Sequence, residues 1–353
     1  MLDSVKNKRP KKQNTKTGQI VKDIRQQIVN GILRPGDKLP TYDTYGKKYQ
    51  VSKMTMQMAF TQLKTDGFVK SVARQGLFVS KKPPHANRFA LLLPVHEEHN
   101  RFWRILIDEA MRYTERIGYE LEIFHEVNKP SEHSRLLSEI SHRRFAGLIL
   151  VCDPRDFNID DIMVDGSIPK ACFHYVSYES TLCFSFDSPE LIRKSLDYFA
   201  AANRKKIAYI TCYGFSDSYE AFLSGIKERG MESCEAWQFP LENPDVADNL
   251  IQLLMSLPKD RRPDALLLAD DNVEEAAHRG LIKSGIKIPD DLEVICYCNW
   301  NCNHKKLFPL HYVGFNIEAA IAESINFFTR FENNPVPSEN CMLPALFEDE
   351  LNI

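Results

Sequence analysis

From about residue 89 onward, short apolar runs alternate with longer amphipathic stretches, and this alternation constrains the fold more than any other feature. The runs at 89–95, 207–212 and 265–269 lack the alternation of apolar and polar side chains that marks a half-exposed strand. Strands of this kind are buried on both faces, as in parallel sheets covered by helices. A region of about 265 residues built in this way predicts two doubly wound lobes.

Composition narrows the class of protein further. The chain has 353 residues, of which 43% are hydrophobic and 26% charged, which is typical of a folded globular protein. No run of about 18 apolar residues is present, so no transmembrane helix is expected. The first residues carry no apolar core behind their basic charges, so no secretory signal is expected. Nine irregularly spaced cysteines favour reduced thiols and a cytoplasmic location.

Charge is distributed very unevenly along the chain. Residues 1–85 contain 18 Lys and Arg, five Asp and no Glu, a net charge of +13, whereas the remainder carries −16. Basic side chains displace the counterions that condense on phosphates, so this asymmetry indicates a nucleic-acid partner for the first 85 residues. A solvated basic tail is the alternative, but it accounts for only five of the basic residues: Lys6, Lys8, Arg9, Lys11 and Lys12.

The basic region has the pattern of a winged helix-turn-helix over residues 16–80, preceded by a flexible arm at 1–15. Apolar residues recur every fourth position at Ile20, Ile24, Ile28 and Ile32, which predicts one amphipathic helix. A second helix is predicted at 42–49, and Ser52 is predicted to cap a third at 54–66. Two short strands around the turn at 73–76 complete the motif as a hairpin.

The head, residues 17–80, resembles the GntR family of winged-helix regulators. The matching landmarks are Gly31-Ile32-Leu33-Arg34-Pro35-Gly36-Asp37-Lys38-Leu39-Pro40, Tyr49-Gln50-Val51-Ser52-Lys53-Met54-Thr55, Ala59, Leu63, Asp66-Gly67-Phe68-Val69 and Gln75-Gly76-Leu77-Phe78-Val79. The resemblance implies binding to double-stranded operator DNA, with the helix that follows Ser52 placed in the major groove. The predicted DNA-binding residues are Lys47, Lys48, Ser52, Lys53, Thr55, Gln57, Arg74, Gln75 and Gly76.

Two positions depart from the GntR pattern. Asp43 and Gln57 stand where the family usually has arginine, and an aspartate that faced a phosphate would repel it. DNA binding is then expected to depend on the remaining lysines, on Arg74 and on the basic arm. Met54 and Met58, on the third helix, are expected to lie in the core or at its edge.

A linker at 81–88, stiffened by Pro83-Pro84, leads to an effector-binding and dimerisation domain at 89–353. Residues 88–350 resemble the ligand-sensing domain of LacI/GalR regulators, which is similar to periplasmic sugar-binding proteins. Its landmarks are Asn100-Arg101-Phe102-Trp103, Phe145-Ala146-Gly147-Leu148-Ile149-Leu150, Phe186-Asp187, Asn203-Arg204-Lys205-Lys206-Ile207-Ala208-Tyr209-Ile210, Arg262-Pro263-Asp264-Ala265-Leu266, Asp270-Asp271 and Gly285-Ile286-Lys287-Ile288-Pro289-Asp290-Asp291-Leu292. The resemblance implies a small-molecule effector between two lobes, at the carboxyl ends of the strands. Three lobe crossings are predicted near Asp187, Phe315 and Pro335.

The predicted effector-binding residues are Asn100, Phe102, Trp103, His174, Tyr175, Asp217, Phe222, Asp270, Cys298 and Phe315. Aromatic faces at Phe102 and Trp103 suit stacking on a sugar ring, although packing at a helix start explains them too. Asp270 suits hydrogen bonds from hydroxyl groups, or equally a helix cap.

Apolar groups or a thiol stand at three positions where the LacI/GalR family tends to have polar ligands: Phe222, Cys298 and Phe315. Two explanations stay open. The effector is less polar than a simple hexose, or neighbours compensate through His174, Tyr175, Asp217, Asn299 and Asn316.

The same residues bear on three competing functions: a metal site, an enzyme and a ligand-independent DNA-binding protein. Cys296, Cys298, Cys302 and His304 are the one cluster that suggests a metal, but the first two lie on a predicted core strand, so neither a metal nor a cofactor is expected. The sequence contains no recognisable catalytic motif, which counts against an enzyme fused to a DNA-binding head. A ligand-independent DNA-binding protein is the other alternative. The favoured prediction is a homodimeric, sugar-responsive repressor of a carbohydrate-use operon, with an α/β fold: an N-terminal winged helix-turn-helix and a two-lobed, doubly wound periplasmic-binding-protein-like domain.

Overall fold

The computed structural model describes residues 15–94, 101–212, 217–300, 308–331 and 336–351. The helices within these ranges are α1 (Lys16–Val29), α2 (Tyr42–Tyr49), α3 (Lys53–Thr65), α4 (Pro84–Asn87), α5 (Arg101–Ile117), α6 (Pro130–Ser141), α7 (Ser188–Ala201), α8 (Asp217–Glu228), α9 (Ala247–Ser256), α10 (Glu274–Ser284) and α11 (Ile317–Arg330). The strands are β1 (Val69–Val72), β2 (Gly76–Val79), β3 (Arg88–Leu92), β4 (Glu120–Phe124), β5 (Gly147–Leu150), β6 (Lys170–Cys172), β7 (Thr181–Phe186), β8 (Ile207–Cys212), β9 (Gln238–Leu241), β10 (Ala265–Leu268), β11 (Glu293–Trp300), β12 (His311–Asn316), β13 (Glu339–Leu343) and β14 (Leu346–Phe347). Among these described helices, none combines the length and the apolar character needed to cross a membrane.

Residues 15–80 fold as the predicted winged helix-turn-helix. The hydroxyls of Thr15, Thr41 and Ser52 cap α1, α2 and α3 by accepting hydrogen bonds from backbone N–H groups in the first turn. The antiparallel hairpin β1–β2 forms the wing. Helix α1 ends at Val29, and Ile32 beyond it is 68% exposed, so its predicted place in the helix is wrong. Gly31, with a φ of 70°, turns the chain away before that position is reached.

The remaining described chain forms two six-stranded sheets, one for each lobe. In the N-lobe the strand order is β13-β7-β6-β5-β3-β4, and every described pairing is parallel. In the C-lobe the order is β14-β12-β11-β10-β8-β9, with only the short β14 antiparallel to its neighbour. Central strands such as β8 and β10 are buried along their whole length. The predicted fold class, an α/β protein with a two-lobed, doubly wound body, is confirmed.

The chain passes between the lobes at three places within the described ranges. It leaves the N-lobe after β7, at Asp187, and returns after β12 through α11, which packs against N-lobe strands and α5. It re-enters the C-lobe sheet between Leu343 and Leu346. Phe315 lies at the end of β12, at the second crossing, and Pro335 lies outside the described residues.

The head rests on the N-lobe through a shared carboxylate. Asp66, at the end of α3, accepts a hydrogen bond of 2.6 Å from Arg25 within the head and lies 3.9 Å from Arg144 of the N-lobe. The segment predicted as a linker contains α4, whose His85 ring stacks on Phe68 with centroids 5.7 Å apart. Burial lowers the pKa of His85 to about 4, so this ring is neutral near pH 7. The junction is therefore a packed interface.

Removing the carboxylate at this junction should destabilise the head. The Arg25–Asp66 pair is 5% and 11% exposed, so Asp66→Ala leaves a buried guanidinium unpaired, and we expect a loss of about 3 kcal/mol in the free energy of unfolding. Urea denaturation followed by circular dichroism measures this. The matched control is Asp43→Ala, which breaks an exposed ion pair with Lys53 and should cost less than about 1 kcal/mol. Equal stability of the two variants would contradict the buried pair.

Candidate DNA interface and effector cleft

Helix α3 presents one apolar and one solvent-facing side. Its core-facing residues, Met56, Ala59, Phe60 and Leu63, are fully buried, which fixes the rotation of the helix. Ser52 caps the first turn of the helix by accepting a hydrogen bond of 3.2 Å from the Thr55 N–H. The opening residues Lys53 and Met54 are exposed.

The methionines of α3 are split between its two sides. Met54 is 66% exposed and Met58 is 58% exposed, so the expectation that they belong to the core is wrong. The physical reason is the spacing of the buried set, which already supplies a continuous stripe from Met56 to Leu63. Residues two positions before Met56 and two after it lie on the opposite side of the helix.

The predicted DNA-binding residues all lie on the surface of the head. Thr55 is half-buried, and the following residues are exposed: Lys47, Lys48, Ser52, Lys53, Gln57, Arg74, Gln75 and Gly76. At the wing tip, Arg74 has a φ of 61° and Gly76 a φ of 113°, so the turn brings backbone and a guanidinium to its outermost point. Their contacts with DNA stay predictions.

Asp43 lies beside Lys53, the first residue of helix α3. Its carboxylate lies 3.8 Å from the Lys53 ammonium, and both side chains are about 70% exposed. The ammonium of Lys53 offsets the negative charge of Asp43 and so reduces the repulsion that this aspartate would exert on a phosphate. The carboxylate of Asp43 in turn offsets the positive charge of Lys53.

In the body, Arg101 joins the two lobes across the cleft. It opens α5 of the N-lobe, and its guanidinium donates to the main-chain oxygen of Asp271 at 3.0 Å. The same guanidinium lies 2.5 Å from the carboxylate of Glu274, which is buried and also accepts a hydrogen bond of 2.9 Å from the Tyr312 hydroxyl. Asp271 and Glu274 follow strand β10 of the C-lobe, so an ion pair with a buried partner spans the gap.

Aromatic rings form a floor that continues from one lobe to the other. Phe102 contacts Phe186 edge-on, with centroids 5.7 Å apart, and Phe186 lies 4.9 Å from Phe315 at the second crossing. Phe315 in turn lies 5.9 Å from Tyr297 of the C-lobe. Phe102, Phe186 and Tyr297 are half-buried.

Polar groups adjoin this aromatic floor on the C-lobe side. The Tyr297 hydroxyl donates to the side-chain oxygen of Asn299 at 3.0 Å, and the Asn299 amide donates to the Asp271 carboxylate at 2.9 Å. Burial raises the pKa of Asp271 to about 6, against the lowering effect of Arg101. A carboxylate withdrawn from water in this way forms strong hydrogen bonds with the groups that reach it.

The predicted effector-binding residues are distributed over different environments. Phe222, Cys298 and Phe315 lie in the core, at 0%, 0% and 2% exposure: Phe222 and Phe315 belong to one buried apolar cluster and Cys298 to another. Phe315 therefore supports the aromatic floor from beneath. No open face of these three side chains reaches the cleft.

Other predicted effector residues occupy the carboxyl edges of the sheets. Phe102 and Trp103 are half-buried on the first turn of α5. Asp270 caps the turn after β10, accepting hydrogen bonds from the Asn272 N–H at 2.9 Å and from its side-chain amide at 2.8 Å. His174 and Tyr175 are exposed after β6. Asn100 and the side chain of Asp217 lie outside the described residues.

Sequence reasoning missed the bridge itself. Arg101, Asp271 and Glu274 were not among the predicted site residues, although a basic residue after one predicted strand and an acidic pair after another are complementary in charge.

As for metals, no group of three or more His, Cys, Asp or Glu side chains that could hold an ion occurs in the part of the chain that the structure describes. Cys302 and His304 lie outside it.

Comparison with known proteins identifies both modules. Residues 16–79 match the family model of bacterial regulatory proteins of the gntR family, and residues 196–307 match that of a periplasmic binding protein-like domain. The arabinose metabolism transcriptional repressor of Geobacillus stearothermophilus is 20% identical over 298 residues, 78% of this chain and 80% of that protein. The HTH-type transcriptional repressor NagR of Bacillus subtilis (strain 168) is 35% identical over 63 residues, 18% of this chain and 26% of that protein.

A solved structure shares the fold of the body. A LacI family transcriptional regulator from Lactobacillus casei, determined with bound sucrose, superposes with a TM-score of 0.56 at 18% identity, covering 74% of this chain and 98% of that one. The arabinose relative, which covers most of this chain, is a transcriptional repressor, and this counts against the enzyme alternative. The chain joins a winged-helix head that matches the gntR family model to a domain that matches the periplasmic binding protein-like model.

Proposed function

We propose that this regulator represses genes of carbohydrate use and that a sugar-like effector, bound between the lobes, changes its affinity for operator DNA. The observation that carries the proposal is the cleft: an aromatic floor with a buried carboxylate beside it, spanned by Arg101, in the same chain as a DNA-binding head. The arabinose repressor that the chain resembles over most of its length supports a sugar as the effector class.

The chemistry of the cleft suits a polyhydroxylated ring. Half-buried faces of Phe102, Phe186 and Tyr297 suit stacking on the C–H faces of such a ring. The carboxylate of Asp271, held by the buried Asn299 amide, accepts hydrogen bonds of the kind that hydroxyl groups supply. A few fixed polar groups beside apolar walls are the usual composition of a small-molecule site.

The lobes provide the element that links effector to DNA. A ligand that touches both lobes binds the closed arrangement better than the open one, and this difference alone shifts the balance between them. Asp66 of the head lies 3.9 Å from Arg144 of the N-lobe, and Phe68 of the head stacks on His85 of the helix that leads into the N-lobe, so we expect a rotation of the N-lobe to carry the head with it. We expect a coupling of about 1–3 kcal/mol between effector and operator.

A homodimer completes the proposal. One winged helix offers few base contacts, and two-fold pairing of two heads on a palindromic site doubles them.

Trp103→Ala should abolish the effector response while leaving effector-free DNA binding intact, because Trp103 borders the cleft and lies in a different domain from the DNA-binding surface. Thermal-shift screening with mono- and disaccharides identifies the effector, and gel shifts with and without it measure the response. The matched control is Tyr113→Ala, which removes another half-buried ring from α5 about 15 Å farther along the helix.

A normal response in Trp103→Ala, or loss of response in both variants, would contradict this placement of the site. If no sugar shifts either the melting temperature or the DNA affinity of the natural chain, ligand-independent DNA binding becomes the better explanation.

Asp43→Asn should strengthen DNA binding a few-fold at low salt, because it removes a negative charge from the DNA-facing surface and frees Lys53. The gain should shrink as salt rises, since these charges are exposed. The control is Asp290→Asn, the same change of charge at an exposed position in the body. Weaker binding of Asp43→Asn would show that Asp43 organises the interface instead of opposing it.

Light scattering at micromolar concentration should give a mass near twice the 40.7 kDa of one chain. A mass of one chain, together with tight operator binding, would refute the dimer.

A further inference from the structure

Two exposed methionines lie side by side on the outward face of α3. Met54 and Met58 are one helical turn apart, so their side chains are neighbours on the surface. Met54 precedes Gln57, also exposed, and together these residues form a strip between the start of the helix and its middle.

The fold of the head does not use this strip. The core is closed by Met56 and Phe60 on the other side of α3, both at 0% exposure. Isolated exposed apolar residues are common, but two adjacent ones on a helix that already buries a full apolar stripe form a small apolar surface with a definite position. Methionine is flexible and polarisable, so such a surface adapts to the shape of a partner.

The surroundings of the strip indicate the partner. Exposed cations lie on the elements beside it: Lys47 and Lys48 on α2, Lys53 at the start of α3, and Arg74 at the wing tip. The first 85 residues carry a net charge of +13. An apolar strip within such a surface fits a partner that is polyanionic along its edges and presents apolar groups between them.

Duplex DNA has this combination in its major groove. Among the base edges exposed there, the C5-methyl of thymine is the apolar group, and side chains discriminate thymine by contact with it. We propose that Met54 and Met58 form an apolar subsite that reads thymine methyl groups in the operator. This inference rests on the proposed function as an operator-binding regulator and adds the base that α3 selects.

The test removes methyl groups from the DNA instead of changing the bases. An operator is selected by the natural chain from a random duplex pool, and each thymine is then replaced by deoxyuridine, which keeps every hydrogen-bonding group. We expect substitution at one or two positions in each half-site to weaken binding about fourfold per methyl group, the factor that burial of one methyl gives. Met54→Ala or Met58→Ala should weaken binding to the thymine operator and remove this sensitivity at the matching position.

Two control variants separate the causes. Met111→Ala removes an exposed methionine from α5 of the body and should leave the thymine–deoxyuridine difference unchanged. Lys47→Ala removes an exposed cation and should weaken binding to both operators by the same factor. Because Met54 and Met58 are exposed, melting temperatures of their variants should match that of the natural chain.

Different results test the methionine subsite and DNA binding separately. Equal affinity for thymine and deoxyuridine operators, or an unchanged thymine preference in both methionine variants, overturns the inference while DNA binding stands. Failure to enrich any sequence from the pool overturns the proposed function and this inference with it. A variant that carries both Met54→Ala and Met58→Ala is tested as well. If it binds DNA normally but no longer self-associates in light scattering, the strip belongs to a protein contact instead.

Discussion

Burial of the parallel strands on both faces is the constraint from which the arrangement of the body follows. Strands β8 and β10 have no solvent-facing side, so polar side chains appear where the strands end. Asp271 comes three residues after the end of β10, Asn299 lies near the end of β11, and Arg101 opens the helix after β3. Arg101 of the N-lobe donates to Asp271 of the C-lobe, and Asn299 donates to the same aspartate from within the C-lobe. A polar junction between the lobes thus follows from the packing that makes each lobe stable.

Local patterns in the sequence were sufficient for the architecture. Apolar runs marked the buried strands, and α2 was predicted with the bounds that the structure gives, Tyr42–Tyr49. The errors arose at single residues whose hydrophobicity was given more weight than their position relative to the helix. The recurrence of an apolar residue at every fourth position suggested that Ile32 belongs to the apolar face of α1. The chain turns at Gly31, however, and Ile32 is exposed. Hydrophobicity likewise suggested that Met58 is in the core, whereas the rotation of α3 is set by its buried neighbours.

The candidate site was predictable in its position and less so in its members. Phe102 and Asp270 follow predicted strands, and this rule brought them to the cleft edge. Phe222 and Cys298 were chosen by analogy of position, which does not reveal how deeply a side chain is packed. The contact between Arg101 and Glu274 joins residues far apart in the chain, and such a pairing depends on how two whole lobes approach one another.

The carboxylate of Asp66 has a consequence for how such regulators can be recombined. It belongs to the head by sequence, yet it lies close to Arg144 of the sensor domain while pairing with Arg25 of its own domain. A head transplanted onto this body from another regulator would leave Arg144 its contact with Glu139 but remove the one with Asp66, unless it carried an acidic residue at the same point. Exchange of modules between such proteins therefore changes the charge balance at this junction, even where the linker lengths agree.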